Sequence, residues 1–448
     1  RTLRNDFSCI GMRMAYVRAS AAPRGLLNRK AAPASSGSET LPFWGSLELA
    51  TYPDARSVVA ALTPDEPIIL NRPHAAARAA RFFVDGFRGR ALYAVKANPS
   101  PDLIRILWDN GVTHYDVASI VEVRLVRSIL PKAELCFMHP VKPKSAIAEA
   151  YHQHGCRTFS LDSEEELTKI VDACRAPDGS PAKDLKLLVR LRVSSEFSEL
   201  SLASKFGADL IDAPVLLQKT RQHCDWLGVC FHVGSQAMTP FAYVQAIERA
   251  RAAIVSSSVV IDIIDVGGGF PSIYPGMEPP PLEDYFEVIF RASETLPISY
   301  SSELWCEPGR ALCAEYSSLL IRVEKRRGSE LFINDGAYGA LYDAAHLGWK
   351  FPVRALGHEE HAATEDFSLY GPTCDDADYM EGPFALPAET KAGDYIEVGM
   401  LGAYGAAMKT DFNGFGANQA IVVDDDPMMS LYDGRRVRPE TDNVVNLR

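Results

Sequence analysis

From about residue 65 to residue 310 the chain repeats one pattern: a short apolar run rich in β-branched residues, a polar or glycine-bearing loop, then a longer amphipathic stretch. The apolar runs are Ala91 to Val95, His114 to Val117, Glu134 to Met138, Arg157 to Leu161, Leu185 to Val193, Leu227 to Val233, Ile261 to Val266 and Glu303 to Cys306. Helix-like segments such as Ser119 to Leu130, Ser163 to Arg175 and Phe241 to Ser256 lie between them. In the second, Asp162-Ser163 ahead of Glu165 and Glu166 reads as an N-cap with an acidic first turn. Strands alternating with helices imply parallel pairing, and eight units in about 240 residues predict a (β/α)8 TIM-type barrel over residues 71–312. A doubly wound open sheet is the alternative.

Beyond about residue 315 the texture changes. Strand-like runs at Ser317 to Val323, Leu331 to Asn334, Tyr395 to Val398 and Gln419 to Val423 are separated by Gly/Pro/Asp loops, so residues 313–448 are expected to form an all-β, Greek-key-like domain. Residues 46–70 are expected to lead into it, with Glu66 to Asn71 supplying an early strand. Asp424-Asp425-Asp426 reads as a solvated loop.

Residues 1–45 differ: they carry Arg1, Arg4, Arg13, Arg18, Arg24, Arg29 and Lys30 against Asp6 and Glu39. A disordered extension is the favoured reading and an organellar transit peptide the other, with the cytoplasm the expected location. A net charge of −12 argues against nucleic acid as the main partner and suits cationic metabolites. Nine cysteines without a C-x-x-C pair or a Cys/His cluster suggest neither a zinc site nor a disulfide framework, and no metal is expected. No apolar run approaches the ~20 residues of a membrane span, so a soluble protein is expected.

In such a barrel the reactive residues stand at the C-terminal ends of the strands. Here these are Lys96, Asp116, His139, Asp162, Arg190, His232, Gly267-Gly268-Gly269 and Glu307-Pro308-Gly309-Arg310. A strand-end lysine taken alone more often snorkels to water. Three successive glycines leave backbone N–H groups bare for an anion, and Arg310 on the next loop is a forked phosphate partner. A lysine facing a phosphate site suggests pyridoxal phosphate, with Glu307 pairing the pyridine nitrogen, His232 flat against the ring and Ser235 near the phosphate. A buried amine among apolar walls is expected to have a lowered pKa, which favours bonding to the cofactor's aldehyde carbon.

Six motifs then carry a resemblance. Ala94-Val95-Lys96-Ala97-Asn98, His232-Val233-Gly234-Ser235, Asp265-Val266-Gly267-Gly268-Gly269-Phe270-Pro271, Glu307-Pro308-Gly309-Arg310 and Gly371-Pro372-Thr373-Cys374-Asp375 are five of them. Gly402-Ala403-Tyr404 followed by Phe412-Asn413-Gly414-Phe415 is the sixth. From about residue 65 to 425 the chain resembles the ornithine decarboxylase branch of the fold-type III pyridoxal-phosphate decarboxylases, the group that includes lysine, arginine and diaminopimelate decarboxylases.

The resemblance implies Lys96 as the cofactor-linking lysine, His232 as the ring-stacking histidine and Glu307 as the pyridinium partner. It implies Ser235, Gly267, Gly268, Gly269, Gly309, Arg310 and Tyr404 at the phosphate, with Asp116 and Arg190 ordering the lysine and cofactor. It also implies a homodimer with shared sites, in which the partner's copies of Cys374 and Asp375 complete each site. Cys374 would reprotonate Cα, while Asp375, Tyr342, Asp343 and Phe412 would bind the substrate. Between Gly336-Ala337-Tyr338-Gly339 and Tyr342-Asp343 the chain is several residues shorter than the eukaryotic members it resembles. The expected activity is decarboxylation of L-ornithine to putrescine, with L-lysine to cadaverine beside it. The rivals are meso-diaminopimelate decarboxylation, against which Asp375 counts because that branch typically has Glu there, and an inactive antizyme-inhibitor-like regulator, against which the full residue set counts.

Overall fold

Residues 51–432, except 203, 298–300, 360 and 418, are described by a computed structural model. The expectations for residues 1–45 lie outside the described residues. Eight parallel strands close a barrel: Arg90–Ala94, His114–Val117, Glu134–Phe137, Thr158–Leu161, Lys186–Arg190, Trp226–Cys230, Ile263–Asp265 and Glu303–Cys306. The eighth strand returns to the first through Trp305 opposite Arg90 and Cys306 opposite Ala91. The open-sheet alternative is thereby excluded.

These strands are buried on both faces, which is why they read as unbroken apolar runs. Leu92, Cys136, Leu188, Cys230, Ile263 and Trp305 belong to one core cluster, with Met138 just beyond the third strand. Tyr93, Tyr115, Phe159, Val189, Val229 and Ile264 belong instead to the core shared with the surrounding helices. The period-two alternation of a strand produces both layers. The helices begin where capping chemistry predicts: Ser119 and Ser163 accept from the N–H groups of Glu122 and Glu166.

The second body is a nine-stranded sheet in which Thr51–Tyr52, Gln419–Val423, Ile68–Asn71, Ser317–Arg327, Glu330–Ile333, Thr364–Tyr370 and Tyr379–Pro387 are successive neighbours. Tyr395–Val398 pairs with Ser317–Arg327, and Val353–Leu356 with Tyr395–Val398. The strand Ile68–Asn71, from ahead of the barrel, lies parallel to Gln419–Val423 and antiparallel to Ser317–Arg327. One sheet face joins the main core through Leu319 and Ile321. The other packs Leu320, Ile68 and Ile421 against Ala55 and Val58 of the helix Ala55–Leu62.

Four strands of the sheet have no counterpart among the expected runs, the two-residue Thr51–Tyr52 among them. Thr364–Tyr370 carries Glu365 and Asp366, and Tyr379–Pro387 contains Gly382-Pro383, which read locally as breakers. Val353–Leu356 is short and carries Arg354. The strand from Ser317 also runs on past Val323 through the charged Glu324 to Arg327 before turning at Gly328.

The acidic run Asp424-Asp425-Asp426 is a loop with its outer two residues exposed, as expected, but Asp425 turns inward and joins an ion network around the buried Arg72. Arg72, 1 % exposed, donates to Glu397 Oε1 (2.8 Å), Asp425 Oδ1 (2.7 Å) and Ser318 Oγ (2.8 Å). Arg354 donates to the second oxygen of Glu397 at 2.5 Å. Among the described residues no helix is long and apolar enough to cross a membrane.

Burial pushes the Glu397 carboxyl up, but Arg72 and Arg354 outweigh it and hold the carboxyl below its ordinary value. Stability from a depressed carboxyl is present above its unfolded value and lost as pH falls through the folded one. Glu397→Ala should therefore cost about 1.5–3 kcal/mol at neutral pH, because buried Arg72 loses its buried carboxylate and keeps only Asp425 as an ionic partner. Urea denaturation should show that difference narrowing below about pH 4.

Candidate active site

Lys96 sits in a single 3-10 turn, Val95–Ala97, that continues the first barrel strand. The turn is fastened from outside the barrel: Tyr404 N–H donates to Ala97 O (2.8 Å) and Asn98 Nδ2 to Gly402 O (2.7 Å). Lys96 Nζ donates to Asp116 Oδ2 at 2.8 Å, and Asp116, from the second strand, is 3 % exposed.

The expectation of a lowered lysine pKa is overturned. Burial does push the amine down, but the carboxylates of Asp116 and Glu307 together push it further up, so the net direction is upward. Nor is the side chain walled in, since 41 % of it is exposed at the barrel mouth. Lys96 in this state is an ammonium paired with Asp116.

Across the barrel closure, Gly267 and Gly269 adopt φ of +69° and +107°. A Cβ on Gly267 would stand 1.9 Å from Phe231 O, and one on Gly268 would stand 2.8 Å from Glu307 O and 2.9 Å from His232 Nε2. Only glycine fits this close approach. Among the described residues the N–H groups of Gly268, Gly269 and Gly309 donate to no protein acceptor. Arg310, 5 % exposed, donates to Tyr274 Oη at 3.0 Å and to Ser235 Oγ at 3.5 Å. Its buried Nε has no partner among the described residues, and its guanidinium lies 4.8 Å from the ring centre of Tyr404 and 4.4 Å from that of Trp349.

His232 follows the sixth strand. Its Nδ1 accepts the Gly234 N–H at 3.1 Å, and burial, then Arg190 and Lys96, hold it well below the usual histidine range, so the imidazole is neutral. Arg190 ends the fifth strand, 5.8 Å from the ring centre of Phe206, whose ring also meets His139 at 5.1 Å. Glu307 is 6 % exposed, and burial, then Asp265 and Asp116, push its carboxyl well up. Asp265, ending the seventh strand, is fully buried.

The remaining candidates form a second group. Cys374 and Asp375 are exposed; Cys374 N–H donates to Asn413 Oδ1 at 3.3 Å and Asp375 accepts from Tyr338 Oη at 2.5 Å. Tyr338 also meets the Phe412 ring at 4.8 Å. The hydrogen bond from Tyr338 holds Asp375 below the ordinary carboxylate range. Asp343 was expected to face a substrate's distal ammonium, but it lies 3.6 Å from Arg310 Nη2. With only Ala340 and Leu341 between Gly339 and the short helix Tyr342–His346, Asp343 is carried in beside that arginine. Tyr342 is stacked on His346, with ring centres 4.3 Å apart.

Sequence reasoning passed over Asp265, Tyr274, Trp349 and Tyr338. Asp265 and Tyr338 lay inside quoted motifs, and an acidic residue ending a fully buried strand was a usable signal. Tyr274 and Trp349 come from loops with no local pattern.

The first group suits a phosphorylated aromatic cofactor. It offers bare N–H groups, a guanidinium whose Nε has no partner among the described residues, a neutral imidazole, a buried carboxyl and an amine at the rim. Residues 72–314 match the family model described as "Pyridoxal-dependent decarboxylase, pyridoxal binding domain". The lysine/ornithine decarboxylase of Selenomonas ruminantium is 29% identical over 351 residues, covering 76% of this chain and 85% of its own. The ornithine decarboxylase of Cricetulus griseus is 31% identical over 366 residues, covering 76% of each. The crystal structure of a lysine/ornithine decarboxylase from Vibrio vulnificus, complexed with cadaverine, superimposes with a TM-score of 0.69 at 28% identity, covering 84% of this chain and 100% of that one. A barrel whose rim holds Lys96, the glycine cradle, Glu307 and Arg310, matched by a family model over more than half of its length, makes this chain a member of the pyridoxal-dependent decarboxylases.

Proposed function

We propose that the protein releases CO2 from a basic L-amino acid, converting L-ornithine to putrescine and, beside it, L-lysine to cadaverine. The observation that carries this reading is Cys374-Asp375, an exposed thiol next to a carboxylate that Tyr338 keeps ionised. A distal ammonium needs such a negative charge, and Cα needs a proton donor once CO2 has left. The names of the relatives point the same way.

Bound at the barrel mouth, pyridoxal 5'-phosphate supplies the electron sink for the pair left on Cα. Lys96 is its attachment point. The amine must lose a proton before it can bond to the cofactor, and Asp116 Oδ2, at 2.8 Å, holds it in place. Ser235, Gly267 to Gly269, Gly309, Arg310 and Tyr404 hold the phosphate. Neutral His232 covers the ring without adding charge, Arg190 orders it from the fifth strand, and Glu307 faces the pyridine nitrogen.

Cys374 and Asp375 make their own contacts away from Lys96, which supports a homodimer in which each chain lends these residues to the other's barrel. Diaminopimelate is disfavoured by Asp375, and an inactive regulator by the presence of every cofactor-binding residue.

A panel of L-ornithine, L-lysine, L-arginine and meso-diaminopimelate, with products identified by mass, should give putrescine fastest and cadaverine second. No CO2 from either ornithine or lysine would overturn the reading. Gly268→Ala should weaken pyridoxal phosphate binding by about tenfold or more, read by absorbance titration of the cofactor-free protein, because its Cβ meets backbone and imidazole at under 3 Å. Mixing Lys96→Ala with Cys374→Ala protein should restore about a quarter of wild-type activity, since half of the re-paired dimers carry one intact site. If nothing returns, the sites are not shared.

A further inference from the structure

The seventh and eighth strands are neighbours, with Asp265 opposite Trp305, and Glu307 follows two residues beyond that pair at the barrel mouth. The backbone ties them further, because Glu307 N–H donates to Gly267 O at 2.8 Å. Asp265 Oδ1 accepts the Gly267 N–H at 2.8 Å, which fixes the first residue of the glycine cradle. Asp265 Oδ2 is buried and has no donor among the described residues. The Asp265 carboxyl lies within hydrogen-bond reach of the Glu307 carboxyl, itself an acceptor when ionised.

Charge leads to the same place. The groups facing this pair are Asp116 from the second strand, Lys96 from the turn after the first and Arg190 from the fifth, together with the neutral thiols of Cys136, Cys230 and Cys306. Three carboxyls thus meet two cations, and Asp116 already holds Lys96. One proton restores the balance. The unpartnered oxygen of Asp265, against Glu307, is the position where a proton turns two acceptors into a donor and an acceptor.

We propose that Asp265 is a positioning residue that shares a single proton with Glu307, so that the two carboxyls present one negative charge, through Glu307, to the cofactor's pyridine nitrogen. The inference rests on the assignment of Glu307 to that nitrogen. Asp265 then links the two ends of the cofactor site: one oxygen shapes the phosphate cradle through Gly267, and the other sets the charge of the ring-facing carboxyl. Both carboxyls are displaced in the direction this requires, Asp265 being pushed up to about 7 by burial, with Asp116 adding to it.

The test is an infrared titration of the full-length protein, stripped of and then loaded with pyridoxal 5'-phosphate. At about pH 8, above the value for Asp265 but with Glu307 still held up, wild type minus Asp265→Asn and wild type minus Glu307→Gln should each show one protonated carboxyl C=O band. Subtraction removes Asp335, which burial pushes up to about 6 at a different site. A raised carboxyl gives stability that is present below its unfolded value and lost as pH rises through the folded one. The denaturation midpoint of wild type should therefore fall more steeply with rising pH than that of Asp265→Asn, by about one proton.

If Asp265→Asn does not fold, the Glu307→Gln difference and the wild-type titration read the same proton. Absence of the band in wild type, or its persistence in a folded variant, would overturn the proposal. The cofactor-free readings do not depend on turnover, so they fail separately from the decarboxylase reading. A merely structural aspartate would not move the band or the pH slope in this way.

Discussion

Closure of the barrel is the constraint from which the rest follows. Pairing Trp305 with Arg90 brings residues far apart in sequence to one rim, so the amine of Lys96 comes under the influence of Glu307 as well as Asp116. Charges gathered in this way cannot keep their solution behaviour. The lysine is driven toward its ammonium form by carboxylates from elsewhere on the rim, while burial, with neighbours on other strands adding to it, keeps the imidazole of His232 neutral and pushes the Glu307 carboxyl above its ordinary value. Cofactor chemistry needs such a matched set, and a single strand end could not provide it.

The sheet domain does more than cap the barrel. Segment 402–404 holds the turn that carries Lys96, through Gly402 O and Tyr404 N–H, and Tyr404 also lies against Arg310. Glu397, two residues past the start of the strand Tyr395–Val398, clamps Arg72 at the start of the helix Pro73–Gly86. The ion network thus fixes how the first barrel helix meets the sheet, and the sheet in turn fixes the geometry at the lysine.

What could be read from the sequence was what is local. The eight barrel strands were legible because burial on both faces leaves no room for polar interruption, and Lys96, the three glycines and Arg310 because they are contiguous with strand ends. The strands Thr364–Tyr370 and Tyr379–Pro387 were not, since their outward residues and Gly382-Pro383 imitate a loop. Asp425, Tyr274 and Trp349 depend on partners brought from elsewhere in the chain. The direction of the Lys96 shift was misjudged for the same reason: burial is visible in an apolar run, whereas two carboxylates arriving from the second strand and the loop after the eighth are not.

The strand Ile68–Asn71 lies between two neighbours that are made much later. On a ribosome it would emerge with an unpaired edge on each side, and Gln419–Val423 would follow only after roughly 350 further residues, about 20–70 s at typical rates of synthesis. During that interval the barrel can close, but the strand must wait with its hydrogen-bonding groups exposed to other nascent chains. The same insertion that joins the two bodies therefore makes the completion of the sheet a late event in the life of the chain, and makes this segment the natural client of whatever shields unfinished proteins.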